Sequence, residues 1–378
     1  MKRKMLILTN RTLHNGPRMI REFQTFQHDF EITAIGTSKP TDQAIHYRSI
    51  SESQSIITKI LNAIFRRLFY KKLTKHIAEY SPAIEKFIEA AHFDVIIIHE
   101  PNYLPLLSRL KKTLPFIAVY NAHEYHPLEF EDIDGWKETI GQYPFTLYQK
   151  YLKDIDLLVN VCDGIAQKCK QEFGKESLVV PNVAIQSDVA PVSNTGIIKL
   201  IYHGALMQSR HIEDMIDVMY LLGSNYQLDI MGTVSKGNEA YLNYLQAYAK
   251  KTGNVNFIPP VDFDRIIPFI NTYDIGLFLL RPNNFNYAHA LPNKLYEFIQ
   301  AKLAIAIGPS AEMKAVVDQY DLGVVSDDFT PDSLAAKIRQ LNREDIQRYK
   351  MNAITASKIE NAAIYSARYL EKINSLLR

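Results

Sequence analysis

Pro292-Asn293-Lys294-Leu295-Tyr296-Glu297-Phe298-Ile299-Gln300-Ala301-Lys302-Leu303-Ala304-Ile305-Ala306-Ile307-Gly308-Pro309 reads as a loop, a helix and a strand. Proline suits the first turn of a helix, where its missing N–H costs nothing. Leu295, Phe298, Ile299 and Leu303 recur at helical spacing. Ala304 to Ile307 is a short apolar run closed by Gly-Pro, the pattern of a strand buried on both faces. Asn293 and Lys294 fall at the helix N-terminus, where free N–H groups and the positive end of the dipole favour a phosphate. Glu297, one turn further in, is placed to accept hydrogen bonds from ribose hydroxyls. The stretch therefore reads as a nucleoside-diphosphate site on an α/β frame.

The same strand–helix alternation runs outward from it. Strands are expected at Met5–Thr9, Glu31–Ile35, Asp94–His99, Phe116–Tyr120, Leu157–Val161 and Leu178–Val180. A second series follows at Lys199–His203, Gln227–Met231, Val255–Ile258, Ile275–Leu279, Ala304–Ile307 and Gly323–Val325. Alternation of this kind gives parallel sheets covered by helices. Two series predict two Rossmann-like, doubly wound domains, with ligands at the carboxyl ends of the strands and a central cleft between the domains as the default site. The small, polar, proline-containing stretch from Gln186 reads as a linker. The expected division is residues 1–185, a linker at 186–197, residues 198–360, and a final helical segment at 361–378.

Composition narrows the function classes. A length of 378 residues supports two full cores, and a net charge of +2 gives no argument for nucleic acid. Cys162 and Cys169 have no companion His or Cys cluster, so neither a disulfide framework nor a zinc site is expected, and a reducing cytoplasm fits. Lys2, Arg3 and Lys4 are followed by only Met5-Leu6-Ile7-Leu8, too short for a signal peptide's apolar region. No run approaches the ~18 apolar residues of a spanning helix. No Walker loop, G-x-S-x-G elbow or G-x-G-x-x-G is present.

The spacing Pro292-x-Lys294-x-x-Glu297 resembles the donor-site helix of GT-B glycosyltransferases, specifically the large retaining family that builds bacterial polysaccharides (group 1, family 4). Five further segments are similar, in chain order: the loop at Gly16, Val119 to Glu124, Leu158 to Ala166, Val179-Val180-Pro181-Asn182-Val183, and Leu200 to Leu206. The resemblance implies a GT-B fold whose N-terminal domain takes the acceptor and whose C-terminal domain takes the nucleotide sugar, with the last helix crossing back to the first domain. It implies transfer of a sugar from a nucleoside-diphosphate donor, UDP or GDP, to a glycan or lipid-linked acceptor, retaining and metal-independent. Three positions depart from the family pattern. His289 stands where the family has the first of two glutamates, Ala205 where it has an arginine, and Lys302 where it has a glycine.

By the same resemblance, Glu297 binds the donor ribose, and Gly204, Arg210, Asn293 and Lys294 surround the donor diphosphate. Arg210 occupies the position of the family's lysine, keeps its charge and adds bidentate geometry. His123 and Glu124 follow a strand and lie beside donor sugar and acceptor, with His123 orienting and polarising rather than attacking. Gly16 admits a close approach of backbone to phosphate or acceptor. Each residue also has a plainer reading: a solvated helix start for Asn293, Lys294 and Glu297, an exposed Arg210, a structural His123 and a simple turn at Gly16.

Ser53 to Ala78 holds Lys59, Arg66, Arg67, Lys71, Lys72 and Lys75 and no acid. It reads either as a membrane-surface helix, giving peripheral contact with an anionic inner leaflet, or as a half-buried helix with a basic face. The Asp-x-Asp pairs Asp132/Asp134, Asp154/Asp156 and Asp262/Asp264 read as surface acids, and no metal ligands are expected. Two rival functions remain: a nucleotide-sugar epimerase on the same fold, and a non-catalytic GT-B-like subunit.

Overall fold

The computed structural model describes residues 2–14, 16–49, 82–234 and 237–378. The basic segment Ser53–Ala78 lies outside them. The first sheet contains β1 (Arg3–Leu8), β2 (Phe30–Gly36), β3 (His46–Ser49), β4 (Val95–Ile98), β5 (Ile117–Asn121), β6 (Leu157–Asn160) and β7 (Ser177–Val179), in the spatial order β3-β2-β1-β4-β5-β6-β7. The second contains β8 (Ile198–Ala205), β9 (Tyr226–Thr233), β10 (Val255–Ile258), β11 (Ile275–Phe278), β12 (Ala304–Ile307) and β13 (Gly323–Val325), in the order β10-β9-β8-β11-β12-β13. Every pairing is parallel. These are two doubly wound, Rossmann-like sheets, the GT-B arrangement of secondary structure.

Each expected strand is present, with ends moved by at most two residues. β3 is additional: His46-Tyr47-Arg48-Ser49 is a partly exposed edge strand with no apolar run to announce it. Its central counterparts are the opposite case. Val95, Ile96, Ile97 and Ile98 of β4 are at most 1% exposed, because helices cover both faces. Each such side chain contributes ~1.5–3 kcal/mol relative to exposure.

The chain packs as two compact units. One comprises Met1–Pro181, Asn284–Asn286 and Tyr365–Arg378, the other Asn182–Asn283 and Tyr287–Ile364. In the first, Tyr369 and Ile373 of the last helix (Ala362–Leu376) enter a core with Met5, Phe26, Ile97 and Val119. The Tyr369 and Phe26 rings meet edge to face at 5.1 Å. Among the described residues, no helix is long and apolar enough to cross a membrane. Cys162 and Cys169 are both buried free thiols.

The second unit is built around the helix Asn293–Gln300. Pro292 is not in its first turn but one residue earlier, in extended conformation at the cap (φ −80°, ψ 154°). Leu295, Phe298 and Ile299 are buried as their spacing requires. The helix ends in a Schellman turn, with Leu303 N–H donating to Phe298 O and Lys302 N–H to Ile299 O, both at 3.1 Å. Lys302 takes the left-handed position, φ 57°, which favours glycine. Its Nζ donates to Ser187 O at 3.2 Å and Gln300 O at 2.9 Å, and these bonds help offset the strain.

Both sheets reverse their winding at one place, between β1 and β4 and between β8 and β11. There, helices leave on opposite faces and the loops at the strand carboxyl ends diverge, which opens a crevice. Phe298 presses the helix Asn293–Gln300 onto β11 at Gly276. A Cβ there would lie 2.4 Å from Phe298 Cγ. Gly276→Ala is therefore expected to destabilise the fold by about 1–3 kcal/mol through overpacking. Urea denaturation checks this, and an unchanged midpoint would mean the helix does not depend on that contact.

Candidate functional site

In the second unit, β8 runs into Tyr202-His203-Gly204-Ala205 beside β11, at the reversal point. Gly204 adopts φ 130°, outside the range of L side chains. A Cβ at Gly204 would lie 3.4 Å from Lys294 Nζ and 3.5 Å from Arg210 Nη1. The missing side chain therefore lets two cations converge on bare backbone.

Lys294 is only 5% exposed, although it is the second residue of its helix. Its Nζ sits 3.9 Å from the centroid of the Tyr202 ring and 3.8 Å from that of Phe278. No hydrogen bond to Nζ is formed among the described residues. The ring faces compensate part of the cost of burying the charge. Burial, and then the charge of Arg210, hold the ammonium well below its usual range, while Glu297 opposes the shift. Arg210 ends the short turn Gln208–Arg210, and its Nη1 donates to Ala205 O at 3.3 Å. Ala205 thus contributes a carbonyl where the family pattern has an arginine.

Glu297 is 6% exposed, so it is not the solvated helix carboxylate of the plainer reading. Its Oε2 lies 3.4 Å from His203 Nε2. Burial, and then Lys294, push His203 down to about 3. The imidazole is neutral near pH 7, and the contact with Glu297 is not an ion pair. Asn293 opens the helix half-buried, and no side chain caps the N-terminus; Leu295 N–H donates to Pro292 O at 3.1 Å, and the N–H groups of Asn293 and Lys294 ahead of it are placed for an anion. His289, the substitute for the family's first glutamate, has Nδ1 3.1 Å from Glu312 Oε1.

The first unit holds a separate polar cluster at its own reversal point, beyond β1, β4 and β5. Thr9 Oγ1 and Asn10 N–H donate to the two oxygens of Glu100, at 2.8 and 2.9 Å. His99 Nδ1 and His123 Nε2 are 2.9 Å apart, and His99 Nε2 is 2.9 Å from Glu22 Oε2. Asn121 Nδ2 donates to Glu22 Oε1, while Arg18 Nη1 donates to Asn121 Oδ1 at 3.3 Å. Burial pulls Arg18 down to about 10, with Glu22 opposing. His123 is held well below the usual histidine range by burial, then by Arg18, His99, Arg11 and His126. Glu124 is exposed and bears on Glu129, which burial and then Glu124 raise to about 7.

Gly16 caps the helix Pro17–Phe26 with φ −79° and ψ 112°, a conformation open to any residue. Its space is tight all the same, since a Cβ would lie 3.3 Å from Thr12 O. Three of the six Asp-x-Asp acids have side-chain hydrogen-bond partners. Asp156 accepts from Lys111 Nζ and the Ala118 N–H, Asp154 from Ser108, and Asp132 from Asn284.

The expected residues therefore fall into two clusters. Gly204, Arg210, Asn293, Lys294 and Glu297 belong to the second unit, and Gly16, His123 and Glu124 to the first. Tyr202, His203 and Phe278 are further members of the second cluster. Glu22, Arg18 and His99 are further members of the first. His99 had a legible signal, since it follows an apolar strand as His123 does. Glu22 had none, because a single acid on an amphipathic helix reads as its wet face.

No protein-family model matches the chain, and no curated protein matches it. Solved structures match over nearly the full length. Sucrose-phosphate synthase from Thermosynechococcus elongatus aligns at TM-score 0.76 and 10% identity, covering 99% of each chain. The Anabaena protein HepE in complex with UDP and glucose aligns at TM-score 0.72 and 13% identity, covering 99% of this chain and 100% of that one. An E. coli trehalose-6-phosphate structure bound with UDP-2-fluoro glucose aligns at TM-score 0.69 and 12% identity, covering 98% and 99%. These neighbours are GT-B glycosyltransferases, and the fold of this chain is theirs.

Proposed function

We propose that this protein is a glycosyltransferase. It moves a sugar from a nucleoside-diphosphate donor, UDP or GDP, to a glycan or lipid-linked glycan in cell-surface polysaccharide synthesis. The transfer retains anomeric configuration and uses no metal. The observation that carries this reading is the convergence of Lys294 and Arg210 on the bare backbone of Gly204, at an uncapped helix N-terminus with Glu297 one turn in. The neighbours solved with UDP or a UDP sugar bound support it. The second unit takes the donor and the first the acceptor. The proposed setting is the cytoplasm, with Ser53–Ala78 meeting the anionic inner face of the membrane.

In this reading the bond between the anomeric carbon and the diphosphate oxygen breaks while the acceptor oxygen bonds to that carbon. The acceptor's proton passes to the leaving phosphate oxygen. Charge grows on the diphosphate as it leaves, and Lys294, Arg210 and the N–H groups at Asn293 stabilise it. Gly204 lets the phosphates approach the backbone. Glu297 accepts from the ribose hydroxyls. His123 and Glu124 orient the reacting sugar and acceptor, and Gly16 lets the first loop lie close to them.

Two measurements test this. A thermal-shift screen of UDP, GDP, ADP, CMP and dTDP identifies the base, because a ligand specific to the folded state raises the melting temperature. Calorimetry with that nucleotide then compares wild type with Glu297→Ala. Losing a charge-assisted hydrogen bond is worth about 10–100-fold in affinity, expected chiefly in donor KM rather than kcat. Unchanged affinity in a folded variant would remove Glu297 from the site.

Lys294 also links binding to protons. Its ammonium is held well below the usual lysine range in the free protein, and a bound diphosphate raises it. Between the two values the complex holds more protons than the free protein, so a proton is taken up and affinity falls as pH rises through that window. Calorimetry in Hepes and in Tris should show different observed heats, and Lys294→Met should remove the difference. Equal heats for wild type across that pH range would contradict it.

A further inference from the structure

Behind His123, the first unit holds two buried groups, Glu22 and His99, to which the transfer reaction gives no role. Glu22 is 5% exposed and His99 is not exposed at all. Glu22 comes from the helix Pro17–Phe26, His99 from the end of β4, and His123 from the loop after β5. Three elements therefore deliver a carboxylate and two imidazoles in sequence, with 2.9 Å at each step. Burying such groups is costly unless each offsets the next. Nothing about closing the hydrophobic core requires them there.

Their proton positions follow from their partners. Asn121 donates an N–H to Glu22 Oε1, and Arg18 is close enough for the Glu22 charge to act on it. Both turn a positive charge or a donor hydrogen toward the Glu22 carboxylate. His99 Nε2 lies at contact distance from Glu22 Oε2 but off the line of an aligned hydrogen bond. The contact is electrostatic, and a lone pair there would face the carboxylate's own. The His99 proton therefore sits on Nε2, which leaves Nδ1 as an acceptor. His123 Nε2, 2.9 Å away, must then be the donor. Burial together with Arg18, Arg11, His99 and His126 keeps His123 neutral, so its Nδ1 carries no proton. His123 is only half-buried.

We propose that Glu22 and His99 are positioning residues that lock His123 with its proton on Nε2, so that Nδ1 accepts a hydrogen bond from a substrate hydroxyl. That the hydroxyl belongs to a sugar rests on the transfer reaction proposed above; the tautomer does not. His123 is the residue that touches substrate, and the other two act through it. The order matters chemically. With the opposite tautomer His123 would present an N–H, and the hydroxyl would turn to accept from it, so its own O–H would no longer be polarised by the ring.

The test is read without turnover. Nitrogen-15 shifts of the imidazole rings in the full-length protein at pH 7 distinguish protonated from bare ring nitrogens, and His123 is assigned by the signal lost in His123→Asn. Wild type should show a protonated Nε2 and a bare Nδ1. In His99→Phe the preference should fall by about fivefold, the worth of one net hydrogen bond. His99→Asn, whose amide oxygen can replace Nδ1, should restore it. If His99→Phe does not fold, Glu22→Gln decides, and the Nδ1-protonated form should become detectable. A wild-type His123 protonated on Nδ1 would overturn the proposal, as would a tautomer unmoved by His99→Phe or, where that variant does not fold, by Glu22→Gln. With an acceptor in hand, His99→Phe should lower kcat with donor KM unchanged. A protein with the expected tautomer and no transferase activity would refute the proposed function and leave the lock standing.

Discussion

A parallel strand cannot pair with its successor through a tight turn; the chain must cross over, by way of a helix, before it returns. Everything chemically distinctive in this protein follows from that constraint. The crossovers bury both faces of the central strands, so β4 and β12 are uninterrupted apolar runs with no room for function. Polar residues are pushed to the strand ends. Where the winding reverses, between β1 and β4 and between β8 and β11, neighbouring loops part. Thr9, His99 and Glu100 occupy the first of these places, and His203, Gly204 and the helix carrying Lys294 and Glu297 the second.

The two clusters handle buried polarity differently. In the first unit, Glu22, His99, His123, Asn121 and Arg18 answer one another through short contacts. In the second, Lys294 is seated on two aromatic faces beside another cation, and its Nζ donates no hydrogen bond among the described residues. Two converging cations repel, and burial strengthens the repulsion. A fold holds such an arrangement at a cost in stability, and a multiply charged anion relieves it. This gives a physical reason, independent of resemblance, to place the diphosphate there.

Much of this was legible beforehand. The strands showed through apolar runs bounded by Gly and Pro, because a buried parallel strand tolerates little else. Lys294 and Glu297 showed through their place relative to a helix start. What stayed hidden depended on tertiary proximity. β3 is a polar edge strand. Tyr202 and Phe278 read as core aromatics, since nothing local says that a lysine will lie across them. Lys302 marks a position that prefers glycine, yet its left-handed backbone is only visible once the Schellman turn is seen. Glu22 and His99 are far apart in sequence and meet only through the sheet order.

The central claim is that Lys294 is kept buried at a cost in stability so that it can meet a diphosphate. Thermal melts of wild type and Lys294→Met, each with and without the cognate nucleoside diphosphate, test it in one experiment. Burying an ammonium that has no hydrogen-bond partner is costly, and an apolar chain of similar length removes that cost. The expected result is a variant that melts no lower than wild type without nucleotide and loses most of the nucleotide-induced rise. A variant that melts lower than wild type yet keeps the full rise would show that Lys294 supports the fold and not the ligand.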